Sequence, residues 1–136
     1  MRPDMMRNND NRRVLLSVLW IFIILNFFAR DIHELGRPGM LKQMMSGTID
    51  GVKVTEFLML LGGILMTVLA LLLPHAINRW TNIGVGLLTI AMIVAMNRDP
   101  DLDNVFFVGI QLIALIAIIG IAWRWCDNEP TYATTS

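Results

Sequence analysis

The sequence predicts an all-α integral membrane four-helix bundle, with a short interfacial helix and a small hairpin between its first two spans. Three observations carry that prediction. Of 136 residues, 55% are hydrophobic and only 16% charged, against about 25% charged in an ordinary soluble domain. The apolar residues are clumped into long runs instead of amphipathic stripes. Four runs, at 14–34, 55–77, 80–97 and 104–125, approach or meet the ~20 residues needed to cross the hydrocarbon core of a bilayer. They make one domain over 14–126, between a polar tail at 1–13 and a disordered tail at 127–136.

The first span begins near Val14, after the polar lead-in that ends in Arg12 and Arg13. Its apolar run is long, and no small-x-small cleavage pattern follows it, so it reads as a retained helix and not a signal peptide. Residues 36–54 form the longest connection. Pro38-Gly39 marks a turn. Met40, Leu41, Met44 and Met45 are spaced as one face of a short helix, with Lys42 and Gln43 opposite, which predicts a segment lying at the membrane interface. Asp50-Gly51, with alternating residues on either side, is the signal of a tight hairpin.

Thr55 is placed to cap the second helix, which reaches Pro74 or just beyond; the proline removes a backbone donor and would kink the last turns. INRWTN, residues 77–82, then reads as a short link that folds the third span antiparallel to the second. The third span ends near Asn97. Asp103 or Asn104 is available to cap the fourth, which ends at Trp123-Arg124-Trp125.

Lysines and arginines set orientation. The side holding both termini carries six, Arg2, Arg7, Arg12, Arg13, Arg79 and Arg124, against five on the other. Arg12 and Arg13 abut the first span, which favours cytoplasmic termini in a bacterial inner membrane. Trp80, Trp123 and Trp125 would then form the inner aromatic belt, with Phe27, Phe28, Phe57, Phe106 and Phe107 towards the outer edge. Gly84, Ala91 and Ala95 share a face of the third span, and Gly63 and Thr67 make a small-xxx-small pair in the second. Such faces let helix backbones approach, within one bundle or between protomers.

Function is sought in NFFARDIHELGRPG, residues 26–39, where an apolar run gives way to polar groups. Asn26, Arg30, His33 and Arg37 share one helical face, and Glu34 can pair with Arg30 four residues before it. Polar groups in lipid cost free energy, so this face is expected to turn to protein or water. In an antiparallel bundle Glu56, Asn97, Arg98, Asp99 and Gln111 belong to the same end. Gln111 is expected roughly 9–10 Å into the fourth helix, near the depth of Asn26. The ligand-binding candidates are therefore Asn26, Arg30, Asp31, His33, Glu34, Glu56 and Gln111. The competing reading makes the two amides helix-to-helix glue and the charges a mark of where the helix leaves the membrane.

Other chemistries find little support. The two histidines, His33 and His75, lie near opposite faces, and the one cysteine, Cys126, cannot make a disulfide pair or a cysteine metal site. DPDLDN, residues 99–104, starts like a calcium loop but has Asn104 and Ile110 where the glycine and glutamate are needed. No metal or cofactor is predicted. No GxSxG, HExxH or phosphate loop occurs, so the residues lean away from an enzyme. There is no basic stripe for nucleic acid.

The pattern LxxLW…LN…D…PGxLKxMxxGTxxGVxVT, followed by NRWTNIGVGLL, resembles a family of small bacterial four-helix membrane proteins of unknown function. The resembling residues include Leu19, Trp20, Leu25, Asn26, Asp31, Pro38, Gly39, Leu41, Lys42, Gly47, Thr48, Gly51, Thr55, Asn78, Arg79 and Trp80. The resemblance implies the topology and a common fold, and transfers no activity. In size and outline alone the chain is also similar to DoxX-like membrane proteins. It lacks the deep first-helix glutamate of small multidrug-resistance transporters and the cysteine pair of vitamin K epoxide reductase-like proteins.

Three functions are then expected, in this order: a membrane protein that binds or passes a small solute or ion at an outward polar pocket, the ligand unidentified; an accessory or assembly subunit of a larger membrane complex; a small membrane redox enzyme using a quinone or a partner's cofactor. The expected surroundings are the lipid bilayer and either a homo-oligomer or a larger membrane partner.

Overall fold

The computed structural model describes residues 3–46, 52–98 and 101–125. Five helices follow one another: α1 (Pro3–Leu35), α2 (Met40–Met45), α3 (Val52–Leu72), α4 (His75–Met96) and α5 (Leu102–Arg124). All but α2 contain spans long and apolar enough to cross a membrane. No strand occurs among the described residues. Long α1 packs along α3 and α5, and α4 closes the ring against α5 and, less extensively, α3. One end of the bundle carries α2; the other, the terminal end, gathers the start of α1, the α3–α4 turn and the end of α5.

The interior is built on helical spacing. Leu16, Trp20, Ile23 and Phe27 of α1 are buried against Met59, Met66 and Ala70 of α3 and Ala114, Leu115 and Ile118 of α5. The outward faces stay apolar along their length, as Phe22, Leu25, Leu65, Leu88, Ile113 and Ile116 show. An outer surface this greasy matches hydrocarbon and not water. Two glycines let backbones close up. A Cβ on Gly63 would lie 3.0 Å from Ile24 Cγ1 across the α1–α3 seam, and one on Gly86 3.1 Å from Ile119 Cγ1 across the α4–α5 seam.

Several boundaries differ from the sequence expectation. The polar segment before Val14 continues α1 from Pro3. It is held there by contacts the sequence does not announce: Asn9 Oδ1 accepts a hydrogen bond from Trp125 Nε1 at 3.1 Å, and Arg12 Nη1 donates to the Arg124 carbonyl at 3.3 Å. Of the expected hairpin, residues 47–51 lie outside the described residues; 52–55 are helical, so its second strand is absent and Thr55 sits inside α3 rather than capping it. The expected disordered tail, 127–136, and Cys126 also lie outside the described residues.

The α3–α4 break falls at Leu73-Pro74, not within 77–82. Proline disfavours helical geometry in the residue before it and needs no donor at a helix start, so Pro74 ends α3 and becomes the N-cap of α4 instead of kinking a longer helix. Asp101, with no side-chain capping bond, precedes α5 in place of Asp103 or Asn104. Between α1 and α2 the turn is completed by Gly39 at φ +89°, a conformation that favours glycine. Trp125 is buried, so of the three tryptophans expected in one belt only Trp80 and Trp123 face outwards; Phe27 is likewise in the core.

Candidate functional site

At the α2 end, the face that α1 turns inward carries Arg30 from the last turns of the span. Arg30 is buried, and its Nη2 donates to Glu56 Oε1 of α3 at 2.8 Å. Its Nε lies 3.5 Å from Glu34 Oε1, one turn along α1. One guanidinium therefore ties two carboxylates together at the mouth of the α1–α3 seam. Across the α1–α5 seam, His33 Nε2 stands 3.3 Å from Asp103 Oδ2, and Arg37 reaches Asp101 at 3.3 Å and Asp103 at 3.8 Å. These outer pairs are well exposed. Asp31 is exposed and forms no hydrogen bond or ion pair among the described residues. Asn97 donates to the Ile93 carbonyl of its own helix at 2.8 Å, and Asp99 lies outside the described residues.

Beneath this rim lie two amides. Gln111, nine residues beyond Leu102 and so about 13–14 Å into α5, is fully buried, and neither its Oε1 nor its Nε2 has a hydrogen-bond partner. Asn26 Oδ1 is also shielded and unpaired. The antiparallel register sets their relative height: His33 meets Asp103, and counting seven residues back in α1 and eight forward in α5 arrives at Asn26 and Gln111. A buried amide group without a partner costs about 1–3 kcal/mol, so each such group calls for an explanation. A bound water, a rotation joining the two amides, or a polar ligand would each supply one.

The seven sequence candidates thus divide. Arg30, Glu34 and Glu56 come together; Asn26 and Gln111 share a depth below them; His33 belongs to the α5 rim; Asp31 stands apart. Arg37, which helical spacing places on the same face as Asn26, Arg30 and His33, completes that rim with Asp101 and Asp103, which the sequence offered only as turn or capping residues. Among the described residues no cluster of His, Cys, Asp and Glu could hold a metal ion.

A second polar group was missed entirely. Trp20 Nε1 donates to Asn82 Oδ1 at 2.8 Å, Asn82 Nδ2 to Asn78 Oδ1 at 2.6 Å, and Asn78 Nδ2 to the Ala70 carbonyl at 2.7 Å. All three side chains are buried. The chain runs from α1 diagonally to α4 and on to α3, with every amide group satisfied. It therefore locks helices together and offers a ligand nothing. Its signal was present in the spacing: Asn78 and Asn82 are four apart, which matters only once 77–82 is read as helix.

Residues 4–132 match the model of a family described as a family of unknown function, DUF6326. The chain belongs to the DUF6326 family. No curated protein and no solved structure matches it. The family carries no assigned activity, and four helices apolar enough to cross a bilayer make this DUF6326 member a membrane protein.

Proposed function

We propose that this protein binds, or passes, a small polar solute or ion at the level of Asn26 and Gln111, entered from the α2 end. In this reading it is a multi-pass protein of a bacterial inner membrane, with both termini in the cytoplasm. The supporting observation is the contrast between two buried polar groups in one bundle. The Trp20–Asn82–Asn78 chain satisfies its amides internally, whereas Gln111 satisfies neither of its polar atoms. The first set acts as a tie between helices, and Gln111 takes no part in it. An amide offers one acceptor and two donors, which suits a neutral hydrogen-bonding solute or a partly dehydrated ion. Arg30, held between Glu34 and Glu56, would sit above it as a polar gate-post with its charge offset. Passage through so small a bundle requires a homo-oligomer.

Native mass spectrometry of protein released gently from membranes tests this. A discrete bound mass on the wild-type chain, lost in a folded Asn26→Leu/Gln111→Leu double variant, supports the pocket. No bound mass, or one unaffected by the double variant, sinks it. The second reading, an accessory subunit, draws on the outward exposure of Gly84, Ala91 and Ala95 along α4. It predicts that Gly84→Leu and Ala91→Leu release a co-purifying membrane protein.

A further inference from the structure

The terminal end of the bundle is charged very differently from the α2 end. It carries Arg7, Arg12, Arg13, Arg79 and Arg124, and its acids in the described chain are Asp4 and Asp10. The ion pairs of Arg30, His33 and Arg37 lie at the α2 end. The arginines of the terminal end are used sparingly. Arg12 and Arg13 each place one N–H on a carbonyl of a helix C-terminal turn, Arg124 and Leu71, at 3.3 and 3.5 Å. Arg79 donates no hydrogen bond among the described residues, and its Nε and that of Arg13 are shielded without partners. A guanidinium has five N–H donors, so most of this capacity is unspent.

Arg79 is nevertheless held in place. Its guanidinium carbon lies 5.2 Å from the ring centroid of Trp80 and 5.8 Å from that of Trp123, and both indoles are largely exposed. Arg124 is the residue after Trp123, and Arg12 reaches its carbonyl. Alongside these rings, and on towards the middle of the bundle, runs an outward apolar surface that includes Ile77 and Ile116. A soluble anion would use the arginines alone. An amphiphile with an anionic head would use the arginines, the indoles and the apolar surface together.

We infer that this end binds the phosphate of an anionic phospholipid headgroup, centred on Arg79 between Trp80 and Trp123, with Arg12 and Arg124 alongside. The planar guanidinium fork matches a phosphate bidentately, indoles favour the headgroup level, and basic clusters at helix ends recruit anionic lipids. The site is separate from the Asn26–Gln111 level, and either can fail without the other.

The test is lipid competition on the detergent-solubilised full chain, read by native mass spectrometry with equal phosphatidylglycerol and phosphatidylcholine. Each arginine at an anionic lipid surface contributes about fivefold. Wild type should therefore retain phosphatidylglycerol over phosphatidylcholine by roughly 25-fold if two arginines act. Arg79→Gln and Arg124→Gln should each lower that preference about fivefold, Arg79→Lys should lower it less, and Arg98→Gln at the opposite end should leave it unchanged. Arg124 is exposed and carries the test if Arg79→Gln fails to retain helical circular dichroism. Equal retention of the two lipids, or a preference indifferent to both Gln variants, overturns the assignment. So does complete displacement of phosphatidylglycerol by sn-glycerol 3-phosphate, which would make this a site for soluble anions.

Discussion

Replacing Gln111 with leucine separates a site from a strut. The two side chains are close in volume, so the change leaves no large cavity and its effect is chiefly electrostatic. Gln111 is fully buried with both polar atoms unpartnered, and each unmade bond of a buried group costs about 1–3 kcal/mol. Partners found in the membrane-embedded unfolded state reduce what is recovered, since interhelical hydrogen bonds average about 0.6 kcal/mol in such measurements. Gln111→Leu should therefore stabilise the ligand-free protein by about 1–3 kcal/mol. Reversible unfolding in mixed micelles of increasing sodium dodecyl sulfate, followed by circular dichroism and by tryptophan fluorescence, measures it. A midpoint moved to higher detergent fraction is the expected result. A loss of about 1 kcal/mol or more would mean that Gln111 is hydrogen-bonded in the native bundle, and the pocket reading would fall. A double-mutant cycle with Asn26→Leu sharpens the outcome, because a coupling above about 1 kcal/mol would reveal a bond between the two amides.

The satisfied chain should respond in the opposite sense. Asn82→Leu strands the buried Trp20 Nε1–H and Asn78 Oδ1, and should destabilise by about 2–4 kcal/mol in the same unfolding assay, with Trp20 emission altered. Arg30→Gln removes the 2.8 Å bond to Glu56 and the link to Glu34; because both carboxylates are partly exposed, a cost of about 1–3 kcal/mol is expected. Arg37→Ala acts on exposed pairs only and should cost less than about 1 kcal/mol. Gly86→Val drives a side chain into Ile119 and should cost at least about 1–3 kcal/mol of overpacking. Gly84→Ala, whose Cβ meets nothing within 4 Å, should instead leave the monomer unchanged or gain up to about 1 kcal/mol, as thermal unfolding would report.

Fold class was legible because the bilayer imposes it. A long apolar run with no water to satisfy its backbone must be helical, so the four runs disclose four helices whatever their neighbours. The charged rim was legible in part for a similar local reason. Arg30 and Glu34 are one turn apart, and their pairing is a property of a single helix. Element boundaries were less legible where polarity misled. Residues 3–13 look like a free tail, and only the docking of Asn9 on Trp125 and of Arg12 on the end of α5 explains a helix there. INRWTN looks like a loop because asparagine and arginine are commoner in loops than in membrane interiors.

Composition and hydropathy patterning by themselves determined that this chain is a four-helix membrane protein, and helical spacing alone put Asn26, Arg30 and His33 on one face. Tertiary structure decided which polar residues are spent. Asn78 and Asn82 carry the same amide group as Asn26 and Gln111, and the sequence does not show which amides find partners. They differ in what stands across the seam, the Trp20 indole and the Ala70 carbonyl for the first pair, no partner for Gln111. The packing order α1–α3–α4–α5 sets those encounters. It arises from long-range complementarity of whole helix faces, such as Gly63 against Ile24 and Gly86 against Ile119, which no local window of sequence contains.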